Sequence, residues 1–209
     1  MSVTRVILLR HGETVWNVEA RYQGHLDSPL TARGLAQARA LAARLATEKF
    51  STLYSSDSGR ARRTAEIIAA QTRHEIRTDA GLRERHHGSF QGRTYAEAKA
   101  GSPEDYRQLK SGGADYAPPG GESNRALTTR ITAALASIAA QHVGETIVVV
   151  THGGVLSALF RHVIGLPLEA PRRFARANAT WNVFTVENGK WMVETWGDME
   201  HLQGMKKTE

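Results

Sequence analysis

Residues 145–154 read Glu-Thr-Ile-Val-Val-Val-Thr-His-Gly-Gly. The run Ile147 to Val150 is apolar and β-branched with no polar alternation, which predicts a strand buried on both faces and central in a parallel sheet. A histidine ends it, and glycine follows at once to let the backbone turn. Residues 154–164 then read as a helix apolar nearly all round, hence buried, ended by Gly165 and Pro167. The start of the chain repeats this order: Val6-Ile7-Leu8-Leu9, then Arg10-His11-Gly12. Parallel neighbouring strands would bring both histidines to one pocket, at the strand ends where open α/β sheets bind ligands. A cation beside an imidazole there suggests a nucleophile poised against an anion. The plainer reading is a strand end capped by solvated charges. Two histidines in this same setting favour function.

Outward from these strands, helix and strand signals alternate. Residues 52–55 and, more weakly, 74–78 read as strands. Thr31 can cap a helix carrying Leu35, Ala38, Leu41 and Leu45 on one face. Helices are also expected from about 58 to 70, with Ala61, Ala65 and Ile68 inward, and from 123 to 141, with Leu127, Ile131, Leu135 and Ile138 inward. Runs 181–186 and 190–195 around Glu187-Asn188-Gly189 are a hairpin signal at a sheet edge. The expected fold is α/β, a three-layer α/β/α sandwich with a mostly parallel central sheet, built as a single domain over 1–209. Residues 79–121 change character, punctuated by glycines from Gly81 through Gly112 and Gly113 to Gly121. They read as a lid-like insertion over the sheet's active edge, with a capping box at Thr94 and Glu97 and a cap and first turn at Ser102-Pro103. Residues 11–30 are polar without a regular period, long enough to suspect function.

The chain of 209 residues is 41% hydrophobic and 23% charged, enough for one substantial core. It has no cysteine, so a disulfide framework, a thiolate metal site and a thiol nucleophile are excluded. The first apolar run is far too short for a signal peptide, and no stretch could span a bilayer. No membrane association is expected, and the cytoplasm is the expected location. Net charge is +6 and arginine outnumbers lysine, which suits phosphate or carboxylate partners. The basic residues are scattered, with Arg60, Arg62, Arg63 and Arg172, Arg173 as the tight groups. No basic tail or aromatic-interleaved stripe favours nucleic acid. Small anions are the expected partners.

Two further segments add chemistry. Arg60 opens a helix just past the second strand, where its guanidinium could reach across the strand ends. Arg62 and Arg63 point elsewhere, into solvent. Glu84, in Leu82-Arg83-Glu84-Arg85-His86-His87-Gly88, could bring a proton donor to a cation-rich pocket. In order along the chain stand Arg10-His11-Gly12-Glu13-Thr14 with Trp16-Asn17, Gln23-Gly24, and Ser28-Pro29-Leu30-Thr31. Then come Ser55-Ser56-Asp57 with Arg60 and Thr64-Ala65, Leu82-Arg83-Glu84 with Gly88, Gly121-Glu122-Ser123, and Thr151-His152-Gly153. This ordered set resembles the histidine phosphatase superfamily, in the branch that includes phosphoglycerate mutases and related phosphatases. The resemblance implies that His11 takes the phosphoryl group as phosphohistidine. Arg10, Arg60 and His152 would hold the equatorial oxygens, where transition-state charge spreads. Asn17, Gln23, Gly24 and the Gly153 amide would add phosphate or substrate contacts. Glu84 would protonate the leaving oxygen, then activate water or a second acceptor. It implies no metal and no cofactor, save 2,3-bisphosphoglycerate priming if the protein is a mutase.

A phosphatase and a cofactor-dependent mutase differ in what accepts the phosphoryl group. From Glu84 to Gly92 the chain is similar to the mutases, through Arg85-His86 and Phe90-Gln91-Gly92. It departs where the mutases carry a tyrosine (here His87), a substrate-binding lysine (here Tyr95) and a tandem arginine pair (here Arg107-Gln108). The longer mutase insertion is also missing. Losing a lysine and an arginine from a doubly charged site should cost several kcal/mol, at about 1.5–3 kcal/mol per charge-assisted bond. The tail Gly197-Asp198 with His201-Leu202 also resembles the phosphatase-like members. These departures favour hydrolysis of a small phosphorylated metabolite, with Lys99 as a replacement lysine if the mutase reading holds. The third reading, a non-catalytic phospho-ligand binding protein, would be expected to have lost His11, Glu84 or an arginine. His86, His87, Phe90 and Tyr95 are expected to line the lid. The hairpin, with Trp181 and Trp191, offers an edge for a homodimer.

Overall fold

In β1 (Thr4–Arg10), Val6 and Leu8 face one side of the sheet while Ile7 and Leu9 face the other, and all four are fully buried. That alternation within an unbroken apolar run requires a layer of helices on each face. The computed structural model describes residues 2–111 and 113–205. Gly112 and both extreme ends of the expected 1–209 domain lie outside the described residues.

After β1 come α1 (Val15–Val18), α2 (Ala32–Leu45), β2 (Thr52–Ser55), α3 (Gly59–Thr72) and β3 (Ile76–Thr78). The segment over the sheet edge follows, with α4 (Tyr95–Gly101) and α5 (Pro103–Lys110). The chain then forms α6 (Asn124–Ala140), β4 (Thr146–Thr151), α7 (Gly153–Val163), β5 (Trp181–Glu187) and β6 (Lys190–Asp198). The six strands form one sheet in the order β3-β2-β4-β1-β5-β6. β3, β2, β4 and β1 run parallel, and β5 and β6 are antiparallel additions. The protein is thus an α/β sandwich with a central, largely parallel sheet flanked by helices.

Each layer follows from its sequence pattern. Leu127, Ile131 and Leu135 of α6 and Leu156 and Leu159 of α7 pack on the Val6, Leu8, Ile147 and Val149 face. Leu41 and Leu45 of α2 and Ala61, Ala65 and Ile68 of α3 pack on the Ile7, Leu9, Val148 and Val150 face. Full burial of each large aliphatic side chain contributes about 1.5–3 kcal/mol. Thr31 caps α2 by accepting from the Gly34 amide at 2.9 Å. The capping box of Thr94 and Glu97 starts α4. Ser102 occupies the cap of α5 but makes no side-chain cap bond, because its backbone sits at φ −147° and ψ 67° between two abutting helices. The hairpin turns at Asn188 and Gly189, both at positive φ, as a two-residue turn requires. Trp181 is core, 1% exposed on the inner strand β5. The free edge therefore belongs to β6, and Trp181 has no part in it.

The lid-like segment is tied to the 11–30 loop by backbone bonds from Tyr22 to Arg93, Gly92 to Tyr22 and Tyr95 to Ala20. Beneath it Tyr22, Phe90 and Ala98 form a small apolar cluster. Phe90 is core there, not lining, because its ring is fully buried in that cluster. Among the described residues, no helix is long and apolar enough to cross a membrane.

Candidate active site

Because β1 and β4 are parallel neighbours with Arg10 opposite Thr151, the residues that follow them emerge side by side. The His11 and His152 rings meet edge to face with centroids 5.3 Å apart. A cleft of about 800 Å³ opens there. It is lined by Arg10, His11, Asn17, Gln23, Gly24, Arg60, Glu84 and Gly153, eight of the nine residues anticipated for the site. The ninth, His152, lies fully buried against His11.

His11 is held in one tautomer. Its Nδ1 lies 2.8 Å from the Gly12 carbonyl, which can only accept, so Nδ1 carries the proton and Nε2 keeps its lone pair. Arg60 Nε donates toward that Nε2 at 3.3 Å. Burial, then Arg60 and Arg10, hold the imidazole pKa well below its ordinary value, so the ring is neutral. A neutral imidazole with an oriented lone pair can attack an electrophile. His152 is likewise driven down by burial and by Arg60. Its Nε2 pairs with Ser56 Oγ at 2.8 Å.

Arg60, 2% exposed at the start of α3, is fixed at every nitrogen. Its Nη groups donate to the Leu26 and Gly24 carbonyls and to Asp27, at 2.8–2.9 Å. Arg62 and Arg63 point outward and pair with Glu66. Arg10 donates to the Arg176 carbonyl, and burial with the nearby Arg176 charge lowers its pKa to about 10.

Glu84 accepts from the amides of Arg85 and Gly154, each at 2.8 Å. Gly154 belongs to the first turn of α7, where helix amides point outward without intrahelical partners. Burial alone would raise the Glu84 carboxyl. His87, Arg176 and the two amides outweigh it, so the pKa is lowered. His87 is itself neutral near pH 7, since burial pushes it down to about 4. At that pH Arg176 and the amides therefore do the holding. The carboxylate can exchange a proton with a group entering the cleft.

Asn17 completes a capping box with Thr14 at the start of α1. Its Oδ1 accepts from the Thr14 amide and from Asn178 Nδ2, leaving its own amide nitrogen as a donor on the cleft wall. Among the described residues, Arg10 Nε, Tyr22 OH, Gln23 Oε1, His87 Nδ1 and His152 Nδ1 are buried without a hydrogen-bond partner. An unmet polar group typically costs about 1–3 kcal/mol, which a hydrogen-bonding ligand would relieve. Among the described residues, no group of three or more His, Asp or Glu side chains could hold a metal ion.

Some lid residues fall elsewhere than expected. His87 and Tyr95 line the cleft. His86 instead stacks edge-on against His25 at 4.6 Å and accepts from the Gly88 amide, which turns it off the wall. Lys99 is exposed and does not line the cleft, because α4 presents it to solvent. Sequence reasoning missed Ser56, Asn178, Lys110, Arg172 and Arg176. Ser56 stood inside a quoted motif without a role. Asn178 donates to the His11 and Gly12 carbonyls at 3.1 and 3.3 Å, from a stretch with no periodic signal.

The model of the histidine phosphatase superfamily (branch 1) matches residues 6–199. Phosphoglycerate mutase-like protein 4 of Arabidopsis thaliana is 45% identical over 97% of this chain and 89% of its own length. The metal-independent phosphoserine phosphatase of the same plant is 40% identical over 98% of this chain and 85% of its own. Among solved structures, Bacillus stearothermophilus YhfR superposes with a TM-score of 0.91 at 36% identity, covering 96% of this chain and all of that one. This protein belongs to the histidine phosphatase superfamily, in its phosphoglycerate mutase-like branch, whose activity is phosphatase or mutase catalysis.

Proposed function

We propose that this protein hydrolyses small phosphomonoesters, without a metal, through a phosphohistidine on His11. The observation that carries the reading is the fixed, neutral His11 imidazole with Nε2 at the cleft and Arg60 Nε beside it. Nε2 attacks phosphorus as the ester P–O bond breaks, and the departing oxygen takes a proton from Glu84. Water then attacks the phosphohistidine and gives its proton to Glu84, and the P–N bond breaks to release inorganic phosphate and restore His11. Arg10, Arg60 and His152 hold the phosphoryl oxygens, with Asn17, Gln23, Gly24 and the Gly153 amide around them. Glu84 is ionised in the free site, so it acquires its proton as substrate enters. A phosphate dianion there offsets Arg176 and raises the carboxyl, or a monoanion brings the proton itself.

Relatives whose names denote a phosphoserine phosphatase and a phosphoglycerate mutase-like protein leave the acceptor to this chain's own residues. The absence of the longer mutase insertion, which would help to exclude water, favours water as the acceptor; Gln108 does not line the cleft and donates to Glu104 instead. Mass spectrometry after an alkaline quench should find phosphate on His11, and His11→Ala should abolish turnover. Label on another residue would overturn the assignment. The purified protein should release inorganic phosphate from several small esters. Rapid interconversion of 3- and 2-phosphoglycerate, seen only after bisphosphoglycerate priming, would make it a mutase instead.

A further inference from the structure

Most cations of the cleft are already satisfied. Arg21 pairs with Glu19 and Glu97, and Arg60 with Asp27. Arg85 donates to the Glu122 and Tyr116 carbonyls and to Asn124, and Arg161 to the carbonyls of Pro167 and Ala170. Arg10 donates to the Arg176 carbonyl and stands beside His11 at the ester-phosphate end. Lys110, Arg172 and Arg176 remain, Arg172 with a single bond to the Phe174 carbonyl at 3.1 Å. All three line the cleft, and among the described residues none has a carboxylate within ion-pair distance. Glu169 lines the same cleft without pairing with any of them.

These three come from two separate segments. Lys110 ends α5 in the lid-like insertion, whereas Arg172 and Arg176 lie in the loop between α7 and β5. The Lys110 ammonium sits over the rings of Tyr95 and Tyr106, 4.9 and 5.4 Å from their centroids, which orients it without neutralising it. Burial, then Arg176 and Arg172, disfavour its charged form. Lys110 and Arg172 are nonetheless solvent-exposed, so water screens part of their mutual repulsion, and an anion seated among the three cations offsets the rest.

We propose that Lys110, Arg172 and Arg176 form a second anion subsite, taking a carboxylate or phosphoryl group at the end of the substrate remote from the ester phosphate. This rests on the hydrolytic reading, which puts the ester phosphate beside His11. It narrows the substrate class to small phosphomonoesters that carry a second negative charge. The lysine and tandem arginine absent at Tyr95 and Gln108 are offset by cations from other positions, so their loss does not exclude a doubly charged substrate.

The test uses phosphonates, whose P–C bond is not hydrolysed, so that affinity is read without turnover. Calorimetry compares propylphosphonate with 3-phosphonopropionate and propane-1,3-diphosphonate. At low salt at least one of the two doubly charged ligands binds tenfold or more tightly than propylphosphonate, and the advantage shrinks as salt is raised. Which ligand gains identifies the remote group as carboxylate or phosphoryl. In the triple variant K110Q/R172Q/R176Q the advantage drops below threefold. In K110Q/R172Q, which keeps Arg176 beside Glu84, it drops partway. Equal affinities in the wild type, or an undiminished advantage in the triple variant, overturn the subsite. Circular dichroism separates lost selectivity from lost fold, and the wild-type ratio decides even where a variant fails to fold. Failure of the hydrolytic reading shows separately, as absence of phosphate on His11 or as bisphosphoglycerate-primed interconversion of phosphoglycerates in place of phosphate release, and leaves these affinities readable.

Discussion

His11 illustrates how one residue's surroundings set its chemistry. An imidazole with its ordinary pKa near 6.5 would be half protonated, and so half inert as a nucleophile, at mildly acidic pH. Here burial, Arg60 and Arg10 all oppose its protonation. The limb of kcat/KM that reports protonation of His11, the proposed nucleophile, in the free enzyme should therefore lie well below pH 6.5. A profile with p-nitrophenyl phosphate from pH 3.5 to 8 checks this, and an acid limb centred near 6.5 would contradict it. At this scale the sequence was legible wherever a residue ended a strong strand, as His11 and His152 do. Asn178 was not legible. It acts by bonding carbonyls and Asn17, and nothing in Arg176-Ala177-Asn178 marks a turn or period that would place it there.

At the scale of elements, the first turn of α7 does two jobs, continuing from β4 and presenting amides to Glu84. A Cβ at Gly154 would sit 2.0 Å from Glu84 Oε1, and the three atoms nearest to it all belong to the proposed proton donor. A flexible carboxylate can move aside, whereas α7 itself accepts alanine well. Replacing glycine at a compatible position gains about 0.4–1 kcal/mol by restricting the unfolded chain. Gly154→Ala should thus keep or raise the melting temperature while lowering kcat by roughly 10²–10⁴-fold, the usual range for losing a general acid. Activity within threefold of wild type would show that Glu84 is not needed where it stands. The elements themselves were readable because their signals are local: apolar runs for β1 and β4, and 3.6-residue spacing for α3 and α6. The cationic wall was not. Lys110 depends on where α5 ends over the tyrosines, and Arg172 and Arg176 on the path of an irregular loop, so tertiary packing decides them. Lys99 shows the converse error, a charge with suitable spacing that its helix turns to solvent.

For the whole molecule, folding keeps imidazoles neutral both at the cleft and away from it. His11 and His152 are held well below 6.5 and His87 near 4, chiefly by burial, and His25 and His201 are lowered for the same reason. In the unfolded chain all five titrate near 6.5. Between the folded and unfolded values the unfolded state binds more protons, so stability rises with pH across that window and is flat above it. As pH falls below about 6.5, this contribution is progressively lost. The arginine-paired carboxylates Asp57 and Asp198 are shifted downward too, but their contribution starts to fade only below the ordinary carboxylate range. The interval from about 6.5 to 4 therefore belongs mainly to the histidines. Urea unfolding at constant ionic strength should give the same midpoint at pH 8 and 7, then midpoints that fall steadily to pH 4.5. The fall should be shallower in His87→Phe, which removes one titrating ring. Inorganic phosphate should raise every midpoint by binding only the folded state. It should also flatten the acid slope, because an anion among Arg10, Arg60 and His152 favours the protonated form of His152. A midpoint that holds steady from pH 7 to 4.5 would mean that the rings do not stay neutral, and with them would go the explanation for a nucleophilic His11.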